Sequence, residues 1–162
     1  MSDAGVQARM QSFFPSPHAY EIIHRNLYVT HQRVAETFRK GRVLLAGDAA
    51  HFNNPIGGMG LNGGIQDAGN LSDELLRIMR DGAPERPLDL YYLQRRTVAI
   101  EFVQELSIAN KKRLEARDPE VRKRNLDELR ASAADPARAR QFLLRTSMIA
   151  SQRRAQAMAL AD

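Results

Sequence analysis

A carboxylate at the end of a short apolar run, followed closely by a glycine-rich loop, constrains this chain more than any other feature. Both fall within residues 41–71, GRVLLAGDAAHFNNPIGGMGLNGGIQDAGNL. Val43, Leu44, Leu45 and Ala46 form a continuous apolar run, which predicts a strand covered on both faces. The run stops at Gly47 and Asp48, so a carboxylate sits at the carboxyl end of the strand, the edge where open α/β sheets bind ligands. After Pro55, the residues Gly57, Gly58, Gly60, Asn62, Gly63 and Gly64 suit turns and a closely approaching ligand. From Leu61 onward Leu61, Ile65, Ala68, Leu75 and Met79 fall on one helical stripe. The expected helix starts at the ligand edge, with its free N–H groups aimed at whatever binds there.

The run Gly58-Met59-Gly60-Leu61-Asn62-Gly63 matches G-x-G-x-x-G. A dinucleotide fingerprint must follow its strand directly, and here eleven residues separate Ala46 from Gly58. What remains is a glycine-rich loop feeding a helix N-terminus, suited to a polar or anionic group. Composition narrows the class. At 162 residues the chain can bury one core, and with no cysteine it carries neither a disulfide framework nor a thiolate metal site. No apolar run is long enough to span a bilayer and no signal-peptide core opens the chain, so a cytoplasmic protein is expected. The net charge of +5 comes largely from basic residues that alternate with acidic ones along C-terminal helices, and no nucleic-acid partner is expected.

Around this segment the chain reads as mostly helical. Residues 2–14 are helix-compatible, with Ser2 or Asp3 as cap and Pro15 and Pro17 as the stop. Residues 19–31, rich in Ile, Tyr, Val and Thr, favour a strand. Residues 34–40 then form a short turn or helical link. The break at 82–87 separates the glycine-loop helix from a long one, in which Leu88, Tyr91, Val98, Phe102, Leu106 and Ala109 keep a three-to-four spacing to about Arg117. Asp118-Pro119 and Asp135-Pro136 are cap-plus-proline starts of two further helices, the last with Phe142, Leu143, Ile149 and Ala150 on an apolar side. His18, His24 and His31 lack acidic or thiolate partners at metal spacing.

In combination, GRVLLAGDAAH, then P-x-G-G-x-G-L-N, then D-A-x-N-L closely resemble the second flavin-binding motif of class A flavoprotein aromatic hydroxylases, the FAD-dependent monooxygenases of the p-hydroxybenzoate hydroxylase fold. Tyr92, Arg95, Arg96, Val98 and Ala99 resemble that family's following helix. The resemblance implies an α/β fold, mostly helical by content: the C-terminal portion of such an FAD-binding fold, with a few strands and four or more helices. Residues 1–40 would end the substrate-domain region, 41–83 hold the flavin-facing motifs, and 84–162 the C-terminal helices. No strand–glycine-loop–helix unit for the adenosine half of FAD precedes Gly41, so a missing N-terminal FAD-binding region is expected in cis or in trans.

The resemblance also assigns roles. Gly47 and Asp48 match the turn whose acid accepts a hydrogen bond from a ribityl hydroxyl of FAD; the lesser alternative for Asp48 is an ordinary cap of the Ala49-Ala50-His51 turn. Pro55 matches a proline lining the flavin ring, or is a plain loop proline. Gly58, Gly60, Leu61 and Asn62 match the loop whose N–H groups face the isoalloxazine, where a helix dipole favours negative charge; the bland alternative is a glycine-rich helix cap. His51 reads as structural, Asp67 and Asn70 as packing polar groups, Arg95 and Arg96 as charge-pair anchors of the long helix, and Tyr91 and Tyr92 as core. NAD(P)H is the implied electron donor and a small aromatic or phenol-like compound the implied substrate, hydroxylated with O2. The chain is not expected to be active alone. The other readings are a helical interaction module and a non-catalytic subunit that completes a split flavoenzyme in trans.

Overall fold

The computed structural model describes residues 2–160. They divide into two compact units, one ending at Thr30 and one beginning at His31. The first unit is built on α1 (Asp3–Phe13), whose cap is Ser2: its hydroxyl accepts the Gly5 N–H at 3.3 Å. Behind the helix the chain runs without regular structure. The Gln7 side-chain amide grips Tyr20, donating to its carbonyl at 2.6 Å and accepting its N–H at 2.9 Å. Gln11 does the same for the prolyl segment, through Ser16 N–H and His18 O. No strand forms over residues 19–31, contrary to expectation; Ile23, Leu27, Tyr28 and Val29 are all exposed. A strand is a property of a pair, and no neighbour offers this segment a ladder.

The second unit carries two small antiparallel ribbons and a stack of helices. Strands β1 (Arg33–Val34) and β4 (His51–Phe52) pair with Val34 opposite His51. Strands β2 (Arg39–Lys40) and β3 (Val43–Leu44) form a hairpin across a two-residue turn, with Lys40 opposite Val43. Residues 34–40 therefore contribute to both ribbons and are not a simple link. The expected fully covered strand over 43–46 is also corrected: only Val43 and Leu44 are paired, and Val43 is 66% exposed. Apolar composition was right, but one paired edge and one uncovered face leave it half-dressed.

Helix α2 (Met59–Asp81) begins two residues earlier than Leu61 and ends at Gly82 in the left-handed conformation, φ 66°. Its apolar stripe exists but faces outward, with Leu61 77%, Ile65 61% and Met79 80% exposed. The buried face is instead Gly63, Asp67 and Glu74, with Asn70 half-buried between them. It packs on α3 (Arg86–Val98), which buries Leu88, Tyr91, Gln94, Arg95 and Val98.

The long helix continues through a π-helical stretch, Ala99–Gln104, into α4 (Glu105–Glu115). That stretch changes which residues face inward. The next buried positions after Val98 are Ala99, Val103 and Ser107, Val103 standing five positions on from Val98, whereas Phe102 and Leu106 are only half-buried. A π turn holds one more residue than an α turn, so the stripe steps on by one. Helices α5 (Pro119–Ala134) and α6 (Pro136–Thr146) start as expected, the Asp118 and Asp135 carboxylates accepting N–H groups of their first turns. The last helix is broken: Met148, at φ 62°, ends α6 and opens α7 (Ile149–Gln156). Phe142, Leu143 and Ile149 are exposed, and Met148, Ser151 and Ala155 are the buried residues.

Two apolar clusters hold this unit. One joins Phe38, Ala50, Tyr91 and Ala99, with Val34, Ala35, Leu44, Leu45, Leu71 and Tyr92 packed around them. The other joins Met59, Val103 and Met148. The first anchors the turn after β3 on α3, and the second anchors the start of α2 on the π-helical stretch.

Candidate functional site

Between β3 and β4 the chain makes a single helical turn, Gly47–Ala49, closed by the Ala50 N–H donating to the Gly47 carbonyl at 2.8 Å. Gly47 has φ +57°, a conformation other residues reach only at a cost, and it also lies against α2. A Cβ on Gly64 would stand 3.3 Å from the Gly47 Cα, so the helix touches the turn through two glycines. Where they meet opens a cleft of about 610 Å3, lined by Ala46, Gly47, Asp48, Gly60, Leu61, Gly64, Ile65 and Ala68. Its size falls in the range of small-molecule sites.

Of the residues singled out in the sequence, Gly47, Asp48, Gly60 and Leu61 line this cleft together. Asp48 is exposed, caps nothing, and its carboxylate makes no hydrogen bond with the described residues. Gly58 is the N-cap of α2 in the left-handed conformation and provides no side-chain cap, so the first N–H groups of the helix keep their donor capacity. Asn62 does not line the cleft; its amide nitrogen donates to the Gly58 carbonyl at 3.3 Å and braces the first turn. Pro55 is exposed outside the cleft, its carbonyl accepting the Gly58 N–H at 3.1 Å. The loop before it is fixed by Asn54, whose amide nitrogen donates to Gln32 at 3.0 Å and to the Ser107 carbonyl at 3.3 Å.

Beneath the turn lies a charged cluster that residue-by-residue reading undervalued. Asp67 is fully buried. Its Oδ1 accepts from Arg95 Nε at 2.6 Å, and its Oδ2 accepts from the Gly47 N–H and pairs with His51 Nε2, both at 2.9 Å. Burial pulls the Asp67 carboxyl upward, but the His51 hydrogen bond, the Arg95 charge and the Gly47 N–H outweigh it and hold the group below its ordinary range. Arg95 is 1% exposed, so the pair stands out of water, where losing one partner costs about 3–5 kcal/mol. Tyr91, from the same helix, donates its hydroxyl to the Leu45 carbonyl at 2.6 Å. Burial, then the Asp67 charge, push its phenol well up.

Arg95 anchors its helix through a charge pair, as expected, whereas Arg96 does so through a backbone carbonyl, its Nε donating to Ala35 O at 3.2 Å. The sequence signal for the cluster was a second stripe, Gly63, Asp67, Asn70 and Glu74 at helical spacing, small and polar where a packing face is expected to be apolar.

Residues 3–106 match the FAD binding domain family. The chain belongs to that family. Over 151 residues it is 42% identical to the para-nitrophenol 4-monooxygenase of Pseudomonas sp. strain WBC-3, covering 89% of this chain and 38% of that protein. It is 44% identical over 91 residues to a 3-(3-hydroxy-phenyl)propionate/3-hydroxycinnamic acid hydroxylase of Mycolicibacterium smegmatis, covering 56% of this chain and 16% of that protein. The crystal structure of p-nitrophenol 4-monooxygenase PnpA from Pseudomonas putida DLL-E4 superposes with a TM-score of 0.75 at 38% identity, over 90% of this chain and 40% of that one. This member of the FAD binding domain family thus spans about two fifths of the length of its para-nitrophenol-oxidising relatives. The mostly helical α/β fold and the resemblance to class A aromatic hydroxylases both hold, and the FAD cofactor goes with the family.

Proposed function

We propose that this chain supplies the ribityl- and ring-facing part of an FAD site in a monooxygenase that hydroxylates an aromatic or phenol-like substrate with NAD(P)H and O2. The observation that carries the proposal is Asp48: an exposed, unpartnered carboxylate on the rim of a cleft whose other wall is the uncapped start of α2. The donor set fits the group. A carboxylate is a strong acceptor for sugar hydroxyls, and free N–H groups at a helix start favour the negative charge of a reduced ring. Asp48 and Gly47 would hold the ribityl chain, while Gly58, Gly60, Leu61 and Asn62 would present the helix start to the ring and Pro55 would flank it. FAD supplies the redox chemistry; the protein contributes position and electrostatics. Relatives named for para-nitrophenol and for 3-(3-hydroxy-phenyl)propionate support the substrate class.

The remaining FAD contacts, to adenosine and pyrophosphate, would come from an N-terminal region in cis or in trans. The outward apolar stripe of α2, with Leu61, Ile65 and Met79, supports such a covering. Among the described residues no helix is long and apolar enough to cross a membrane. The proposed setting is the cytoplasm, with no nucleic-acid partner.

The test is FAD titration of the purified chain and its Asp48 variants. The chain alone should bind FAD weakly, and Asp48→Ala should weaken it about tenfold or more, since a hydrogen bond to a charged acceptor is worth about 1.5–3 kcal/mol. Asp48→Asn should be milder, because its amide oxygen still accepts. Asp48 holds nothing structural, so the thermal midpoint should barely move. Unchanged affinity with a collapsed midpoint would return Asp48 to the role of a cap, and tight stoichiometric binding would overturn the division of FAD contacts.

A further inference from the structure

The Asp48 carboxylate makes no hydrogen bond with the described residues, so its direction is inherited from the backbone at Gly47. That backbone is held from below on both sides of Ala46. The Leu45 carbonyl accepts from Tyr91 and the Gly47 N–H donates to Asp67. The two oxygens of Asp67 divide their work. Oδ1 meets Arg95 Nε, which makes the buried charge tolerable; Oδ2 is turned to the Gly47 N–H and His51. An ion pair alone would need only the first. Without the second, the Gly47 N–H would lie half-buried with no acceptor, and the turn would reorient to find one.

We infer that Asp67 is the positioning residue of this site: its buried carboxylate, carried on α2 and anchored by Arg95, fixes the Gly47 amide and thereby aims Asp48 at the cleft. The functional consequence rests on the flavin reading; the positioning rests on geometry alone. Helix α2 then serves the site twice, with its first turn at the cleft and with a carboxylate from its third turn under the opposite wall. His51, on β4, completes the cluster from the far side of the turn, so the strand that leaves the turn is tied to the same oxygen.

Two double variants separate positioning from mere stability, because both remove the buried charge pair. Asp67→Asn/Arg95→Met keeps an acceptor for Gly47; Asp67→Val/Arg95→Met does not. Replacing a buried ion pair by neutral groups of similar volume is often close to neutral for folding. Both chains are expected to fold, the valine pair melting lower because the Gly47 N–H and His51 lose their acceptor. In the valine pair the Gly47 amide should exchange with solvent about tenfold faster or more, and FAD should bind about tenfold more weakly. The asparagine pair should stay close to wild type in both readouts. Equal Gly47 exchange in the two folded variants would overturn the inference. Faster Gly47 exchange with no change in FAD affinity would leave the positioning standing and overturn the flavin reading instead. The wild-type chain provides a check that needs no variant to fold: a hydrogen-bond scalar coupling between the Gly47 amide nitrogen and the Asp67 carboxyl carbon. Its presence is expected, and its absence would overturn the inference.

Discussion

Two glycines of α2 offer a paired experiment on the contact that shapes the cleft. Gly69 and Gly64 both lie inside the helix, yet a Cβ on Gly69 would meet nothing within 4 Å, whereas one on Gly64 would stand 3.3 Å from the Gly47 Cα. Alanine in a helix interior is favoured over glycine by about 1 kcal/mol. Gly69→Ala should gain roughly that amount, raising the thermal midpoint by about 2–4 °C for a chain of this size. Gly64→Ala starts with the same gain but forces two carbons below their optimal separation of about 3.5–4.0 Å. The atom in the way is backbone, held before it by the Asp67 and Tyr91 hydrogen bonds and after it by the Ala50 N–H on the Gly47 carbonyl, so it cannot swing aside as a side-chain end would. Overpacking of this kind costs about 1–3 kcal/mol, which leaves Gly64→Ala between no net change and about 2 kcal/mol of loss. Thermal and urea melts followed by far-ultraviolet circular dichroism read both variants directly. Equal stabilisation by the two alanines would show that the turn yields freely, and the argument for a rigid wall at Gly47 would fail.

Other expectations follow from the buried charge and the exposed stripe. The Asp67 carboxyl is held below its unfolded value of about 3.9, so its contribution is fully present above that pH and is lost as pH falls through the lower folded value. The thermal midpoint of wild type should therefore fall more steeply below about pH 4 than that of Asp67→Asn/Arg95→Met; parallel acid limbs would contradict this. Replacing Leu61 and Ile65 together by serine should change stability by no more than about 0.5 kcal/mol per site and reduce self-association measured by sedimentation, since both side chains face solvent. A large drop in midpoint would mean that the stripe is packed.

The features legible in the sequence were those decided within a few residues. Ser2, Asp118 and Asp135 cap the helices they precede because a cap needs only its own first turn. Asp48 and Gly60 meet at one cleft because a short apolar run and a glycine-led helix fix where their ends lie. Features that depend on distant partners were not legible. Residues 19–31 have strand composition and no strand, since pairing is supplied from elsewhere in a fold. The α2 stripe was plain, but which face turns inward was decided by Asp67 finding Arg95, 28 residues away. Hydrophobic periodicity favours the apolar face, and a satisfied buried carboxylate reversed it. Within the site, the same blindness hid the support under Gly47 while the rim residue Asp48 stood out.

The π-helical stretch Ala99–Gln104 sits where α3 stops serving the turn through Tyr91 and Arg95 and α4 begins serving the loop through the Ser107 carbonyl. An unbroken α-helix would tie those two jobs to one phase, about 100° per residue, so that any length change on one side would misplace the contacts on the other. One surplus residue inside the helix resets that phase once, by a fixed step. The two halves can then turn different faces to the turn and to the loop, while the backbone between them stays hydrogen-bonded and stiff.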